Sequence, residues 1–569
     1  YFMARKGGKP MNGNCSTTGR NSPERLPDTV QLEHQWKSID WKKAEAEVSR
    51  LQARIAKATQ EKKWNTVKRL QYLLSHSYYA KALAVRKVTT NKGKHTPGID
   101  KELWNTPAVK MRNVLILTDK GYKAKPLRRV FIEKPGKKKK RPLGIPCMYD
   151  RAMQALYALA LDPVSETTAD EKSFGFRRGR SAQDACEYIF TALSRRTSPE
   201  WVLEGDIKGC FDHISHDWLI DHIPMDKSVL KQFLKAGFVF QNELFPTDEG
   251  TPQGGVISPI LANMALDGMQ KVLSDRFHTN RLGKIDLRFK NAHKVNLVRY
   301  ADDFIVTAAT KEIAEEAKEI IRGFLCTRGL ELSEEKTLIT HVDDGFDMLG
   351  WTFRRFKEKL IVKPSKKSVK ALNASLHNTV LERGKAWRQE DLIRVLNRQL
   401  RGWANYHQSV CAKDAFSRTD HILYEILWRW AKRRHPKKNR KWITANYWYS
   451  KGLRNWVFST KNAELIRLGE VPIIRHTKVR MSANPYLDSE YFIQRKFQNG
   501  MKRLSGRFKK IWRNQNGCCY HCGQPMEISD EREIFYKIPK SMGGKDDVPN
   551  MAYVHKYCQS VFLERRAKA

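Results

Sequence analysis

The sequence predicts a multidomain α+β chain, and three observations carry that prediction. Between Thr96 and Arg355, strand-like apolar runs alternate with helical patterns and acidic loops. Past Arg355 the composition shifts towards helices carrying Trp, Arg and Lys. Close to the C-terminus, a Cys-x-x-Cys and a His-x-x-Cys stand as a separate pair of knuckles. Mixed α and β in one stretch, with a helical stretch behind it, points to an α+β core with appended units. A chain of 569 residues has room for several complete cores.

In chain order, residues 1–27 read as a flexible basic arm. "YFMARKGGKPMNGNCSTTGRNSPERLP" has no apolar centre, which excludes a secretory signal, and it is rich in Gly, Ser, Asn and Pro. Residues 28–95 read as a basic helical extension. Val48, Leu51 and Ile55 share one helical face, and Trp64, Val67, Leu70 and Leu74 continue it after a break. "RRVFIEKPGKKKKRPLGIP" (Arg128 to Pro146) reads as strand, Pro-Gly and lysine turn, strand. "RAMQALYALALDPV" (Arg151 to Val164) is apolar all round and predicts a buried helix. "WVLEGDIKGCFDHI" (Trp201 to Ile214) is a strand running into a loop, and "NLVRYADDFIVTA" (Asn296 to Ala308) is two short strands with an acidic tip. "KEIAEEAKEIIRGFLCTRGLEL" (Lys311 to Leu332) is an amphipathic helix ending near Gly329. Past Arg355 strands fade from the pattern; "WRWAKRRHPKKNRKW" (Trp428 to Trp442) is its densest basic and aromatic stretch.

Charge narrows the function. The chain has 105 Lys+Arg against 61 Asp+Glu, a formal charge of +44. Such a surplus repels itself unless a polyanion is the partner, and nucleic acid is the polyanion that suits basic residues interleaved with Trp and Tyr. No apolar run is long enough to span a membrane. Ten cysteines, mostly far apart, suit a reducing cytosol and give no disulfide framework.

Chemistry concentrates in carboxylates. Asp302 and Asp303 are adjacent, and like charges side by side are costly unless a cation offsets them. Asp206 ends a second apolar strand. Two strand ends that meet at a sheet edge can hold two Mg²⁺, which prefers oxygen ligands and leaves room for substrate phosphates. Such a pair stabilises the attacking and the leaving oxygen of an in-line phosphoryl transfer, as a template-directed polymerase requires.

"TPGID" (Thr96 to Asp100), the 128–146 block, "SFGFRRGRSAQDA" (Ser173 to Ala185), "LEGDIKGCFDHI", "GTPQGGVISPILANMAL" (Gly250 to Leu266), "VRYADDFIV", "LELSEEKT" (Leu330 to Thr337) and "FDMLGWTF" (Phe346 to Phe353) occur in this order. The series resembles the reverse transcriptases encoded by group II introns. The resemblance implies right-hand-like fingers and palm over 96–355, with Asp206, Asp302 and Asp303 as catalytic ligands of Mg²⁺. It implies that Gln253 lines the incoming-nucleotide pocket and that Phe211 blocks a ribose 2′-hydroxyl. Arg141 would neutralise triphosphate charge, Lys336 would be an acid for the leaving pyrophosphate, and the arginines of "RRGRS" (Arg177 to Ser181) would touch the template backbone.

"VLNRQLRGWANYHQ" (Val395 to Gln408) resembles the family's helical thumb or maturase domain, placed at 356–449, with Trp403 and Tyr406 read as core. Residues 450–505 resemble its DNA-binding region. The implied partners are intron lariat RNA, target DNA and dNTPs, with splicing assistance and cDNA synthesis during retrohoming as the implied functions. A bacterial, cytoplasmic ribonucleoprotein at the nucleoid, with one copy per intron RNA, goes with them. A free-standing reverse transcriptase and a splicing-only maturase are the alternatives.

The tail, 506–569, resembles an HNH endonuclease domain. Cys519, Cys522, His555 and Cys558 have the paired spacing of a structural Zn²⁺ site; Cys518 is an alternative to Cys519 with a wider spacing. Phe535 and Tyr536 stand where the family's pattern has histidines, Asn550 is retained, and Gln559 replaces a further histidine. Tyr and Gln cannot serve as a neutral-pH base. The tail is therefore expected to fold and bind DNA, with weak or no cutting.

Overall fold

The computed structural model describes residues 28–133, 140–252, 254–451, 454–504, 506–526, 532–556 and 558–559. The expected arm at 1–27, the lysine turn at 134–139 and Gln253 lie outside the described residues. The extension forms four helices, Thr29–Ser38, Trp41–Gln60, Trp64–His76 and Tyr78–Thr90. Asp28 and Asp40 cap the first two by accepting from backbone N–H groups of the first turn. The break expected before Trp64 is a turn in which Lys62 takes a positive φ of 55°. The first helix packs on Pro107–Ile116, and the other three pack on Met148–Thr168, the central helix, which is buried along nearly its whole length.

Two four-stranded sheets follow. One has the spatial order Arg141–Ile145, Leu127–Ile132, Phe238–Phe240, Glu243–Phe245. The other, wholly antiparallel, has the order Asn296–Tyr300, Asp303–Ala308, Trp201–Asp206, Leu338–His341. Helix Lys311–Cys326 lies against this second sheet and stops three residues short of Gly329. The mixture of these sheets and their covering helices is the α+β core the sequence predicts.

Strands do not fade at Arg355. Phe346–Met348, Trp351–Phe356 and Lys359–Pro364 form a three-stranded antiparallel sheet. Its second turn is Lys357-Glu358, both at positive φ (43° and 66°). A two-residue turn of that kind matches strand twist, but without Gly or Asn it carries no sequence signal. Beyond it come Lys366–His377, Gln389–His407 and Lys413–Arg434. Tyr406 stacks on Trp351 at 4.6 Å and Trp403 packs against Phe416, so both are core-facing. One apolar core runs from Phe174 through this helical region to Phe492, crossing the expected divisions at 355 and 449.

The "RRGRS" arginines have partners within the protein, and of the three only Arg177 is buried. Arg177 pairs with Glu166 at 2.8 Å, both nearly inaccessible; Arg178 pairs with Asp162 at 2.7 Å; Arg180 donates to the backbone oxygens of Glu171 and Met481. In the basic region at 474–495, His476 and Arg495 are likewise engaged within the protein. Asp184, fully buried, accepts from Val479 N at 2.7 Å, pairs with His476 at 2.9 Å and also pairs with Arg495. Burial opposes the charge of Asp184, but these partners hold its carboxyl below the usual range. No helix among the described residues is long and apolar enough to cross a membrane.

Candidate active site and metal cluster

The three candidate carboxylates converge because two hairpin partners end at one sheet edge. Asp206 is the register partner of Asp303, and Tyr300 pairs with Asp303 across the hairpin. Ala301 and Asp302 make the turn, with Ala301 at a positive φ of 58°. A non-glycine residue persists there only when its surroundings hold it. Arg299 supplies that support from beneath. It is wholly buried, pairs with Asp267 at 2.5 Å, and donates to Asn263 Oδ1 at 3.2 Å and to the Ala301 carbonyl at 3.4 Å.

The cluster is electrostatically frustrated. Burial, followed by the charge of Asp206, raises the Asp302 carboxyl above its ordinary value. Asp303 keeps more than a third of its surface open, yet the surrounding protein thins its hydration. With the charges of Asp302 and Asp206 added, it is pushed up to about 6. Lys336 Nζ lies 2.5 Å from Asp206 Oδ2. The segment carrying it is tied to the strand end by Ser333 N donating to the Asp206 carbonyl at 2.8 Å. Arg141 begins its strand within electrostatic reach of Asp302.

Phe211 is half-buried on the short helix Cys210–His213, just past Asp206. Gln253 lies outside the described residues, but its neighbours are anchored: Thr251 N donates to the Phe211 carbonyl at 2.6 Å and Val256 N to Gln154 Oε1 at 2.7 Å. The sequence reading missed Phe176, whose ring stands edge-on to Phe211 at 6.1 Å. It also missed Arg299 and Asp267. Arg299 is a charge inside an apolar strand and Asp267 one just past the apolar helix Ser258–Leu266, signals visible only once both are known to be buried.

At the other end of the chain, Cys519, Cys522, His555 and Cys558 are all buried, with ligand atoms within 4.8 Å of one another. Cys518 stays outside, its thiol 3.6 Å from the Asn516 carbonyl. Hydrogen bonds from Cys522 and Cys558 favour the Cys519 thiolate, and against its burial His555 is drawn up to about 10 by Cys519 and Cys522. The hairpin Arg532–Tyr536 with Met551–His555 carries the rest of the module. Phe535 is buried in its small core, and Tyr536 donates to Asp546 at 2.6 Å. Asn550 braces the intervening loop, accepting from Ile538 N at 2.7 Å and donating to the carbonyls of Ile538 and Lys545. Gln559 is half-buried, and its Oε1 has no hydrogen-bond partner among the described residues.

Four family models match the chain: "N-terminal domain of reverse transcriptase" over residues 36–117, "Reverse transcriptase (RNA-dependent DNA polymerase)" over 132–353, "Group II intron, maturase-specific domain" over 369–448 and "HNH endonuclease" over 519–560. The chain is 32% identical over 380 residues to the group II intron-encoded protein LtrA of Lactococcus lactis, a match covering 57% of this chain and 63% of that relative. It is 33% identical over 302 residues to protein YkfC of Escherichia coli, covering 47% of this chain and 78% of that one. The chain belongs to the group II intron-encoded reverse transcriptase/maturase family.

Within this family the chain spans just under two thirds of the length of LtrA. A telomerase from Candida albicans, solved with a fragment of telomeric RNA, superposes at a TM-score of 0.33 with 12% identity, covering 57% of this chain and 64% of that one, too loosely to add to the fold. The group II match over 369–448 sets the chain apart from reverse transcriptases that lack a maturase domain.

Proposed function

We propose that this chain is an RNA-directed DNA polymerase that binds a group II intron RNA, assists its splicing and copies the inserted RNA into cDNA. The observation that carries this reading is the meeting of Asp206, Asp302 and Asp303 at one sheet edge, in a chain whose residues 369–448 match a maturase domain. Its donors are all oxygens and its like charges call for a cation, so the site fits Mg²⁺. Bound there, two such ions would supply charge stabilisation to the attacking and leaving oxygens.

The protein's own share is positioning. Strand register fixes Asp206 against Asp303, and the strained turn fixes Asp302. Arg141 is suited to neutralise triphosphate charge, Lys336 Nζ to protonate the departing pyrophosphate, and Phe211 to exclude a 2′-hydroxyl; Gln253 is assigned to the nucleotide pocket. The proposed division of labour has 28–95 and 356–449 gripping RNA, 96–355 polymerising, and 450–505 with 506–569 engaging target DNA. Structured RNA is read through backbone and shape, which suits basic residues spread over these units. Such a particle would act in the bacterial cytoplasm on chromosomal DNA.

The test is to sequence the RNA that co-purifies with the protein and to use it as template for primer extension with dNTPs. Enrichment of one folded intron, and its copying into cDNA, is the expected result. Enrichment without copying would favour a splicing-only maturase; copying without RNA preference would favour a free-standing reverse transcriptase.

Cys519, Cys522, His555 and Cys558 form a closed set of sulfur and nitrogen donors, which fits structural Zn²⁺. We infer that the module around them binds DNA without cutting it. Where the family pattern has histidines, Phe535 is buried apolar surface and Tyr536 is engaged by Asp546. A nicking assay with Mg²⁺ or Mn²⁺ is expected to give no cleavage above background; cleavage abolished by Asn550→Ala would refute this.

A further inference from the structure

Phe176 combines features that neither packing nor solubility explains. It is a bulky residue at a positive φ of 58°, and it is 55% exposed. A large side chain rarely takes that backbone conformation, and when it does the surroundings impose it. Here the imposition comes from the catalytic hairpin itself. Ser173 bridges Arg299, Phe174 N donates to the Arg299 carbonyl at 2.9 Å, and Asn263 Nδ2 donates to the Gly175 carbonyl at 2.8 Å. Gly175 lies so close to the hairpin turn that a Cβ there would fall 2.3 Å from Ala301 N. On the other side, buried Arg177 is clamped by Glu166. The backbone around Phe176 is thus held on one side to the hairpin that carries Asp302 and Asp303 and on the other to the central helix.

What the ring meets is Phe211, with centroids 6.1 Å apart and planes at 82°, the edge-to-face arrangement that aromatic pairs prefer. Phe211 sits on a single short helix, its ring only partly buried against the apolar core, and Phe176 is its aromatic neighbour among the described residues. A side chain that excludes one hydroxyl must resist being pushed aside, since rejection of a small extra group depends on a stiff wall. We propose that Phe176 is a positioning residue for sugar selection: its ring fixes that of Phe211 and so sets how strongly the site discriminates against ribonucleotides. This rests on the proposed polymerase function and on Phe211 as the sugar-excluding residue. Gly175 fits the same picture, because only a residue without a Cβ lets the strained segment reach the hairpin.

The test measures kcat/KM for dCTP and for CTP in primer extension by the full chain, and compares their ratio. Phe176→Ala is expected to lower the dCTP/CTP ratio about 3- to 10-fold, the size of one lost aromatic contact. Phe176→Tyr should restore it, and Phe176→Ala should change little in a Phe211→Ala background, because the two act through one ring. Phe176→Leu carries the same comparison should the alanine variant fold poorly. A ratio within twofold of wild type for both Ala and Leu variants overturns the proposal. So does an equal loss in the Phe211→Ala background, or a uniform rise in KM for both nucleotides, which marks direct nucleotide contact instead. Absence of polymerisation by the wild type, or an unchanged ratio in Phe211→Ala alone, refutes the underlying reading and the proposal with it.

Discussion

Asp302→Ala is expected to reduce primer extension at least about a thousandfold, equivalent to about 4 kcal/mol of transition-state stabilisation. The substitution removes one oxygen donor from the turn and leaves the Asp206–Asp303 register untouched. The fold should not suffer. Asp303 titrates at about 6 in the folded chain against an ordinary 3.8, so its negative charge opposes folding at neutral pH and costs nothing below the ordinary value. Removing the neighbouring charge of Asp302 relieves that opposition. Thermal unfolding in chelator at pH 8 should therefore show Asp302→Ala at least as stable as wild type. Because Mg²⁺ must displace the Asp303 proton, the Mg²⁺ concentration needed for half-maximal wild-type extension should rise as pH drops through about 6. Single-nucleotide extension across that range checks both. Retention of more than a tenth of wild-type activity by Asp302→Ala would remove the carboxylates from the chemistry.

Cys522→Ser, or prolonged treatment with a strong chelator, is expected to unfold the C-terminal module while leaving polymerisation largely intact. The module's apolar core is small, built on Ile511, Trp512, Met526, Phe535 and Met551 with a few neighbours. A core of that size seldom sustains a fold without a staple. Structural zinc typically contributes about 10–16 kcal/mol of apparent binding free energy, which in such a module is folding free energy. Hydrogen exchange should show residues 532–556 losing protection, with the strands Trp201–Asp206 and Asp303–Ala308 unchanged. Full protection after metal removal would mean that the four ligands hold the module through ordinary packing alone.

How far the sequence could be read depended on whether the signal was local. Asp206 and Asp303 were legible because each ends an apolar strand, and a carboxylate at a strand end is visible without knowing the partner strand. The metal cluster was legible because each half has its own spacing, and burial then selects Cys519 over Cys518. The acidic partners of Arg177 and Arg178 were not legible. A basic loop looks the same whether its partner is a phosphate or a buried acid, and Glu166 and Asp162 lie on a helix that reads as apolar. The strand Lys359–Pro364 was missed because its hairpin turn lacks glycine. Phe176 lay within a recognised block, but its positive φ and its contact with Phe211 exist only in three dimensions.

Asp184 sets a schedule for the newborn chain. Its carboxylate is enclosed, and among its partners are Val479, His476 and Arg495, which follow it by 295, 292 and 311 residues. At about 5–20 residues per second, a ribosome delivers them roughly 15–60 seconds after Asp184 itself. Late in that interval residues 96–355 have been synthesised, yet the Asp184 carboxylate has only the local cap from Ser181, and burying a charge so poorly paired is among the costliest defects a core can hold. Completion of the catalytic body therefore waits on the segment that precedes the metal-binding tail. A transcript cut short before that segment would yield a chain with all three catalytic aspartates and an unsealed interior.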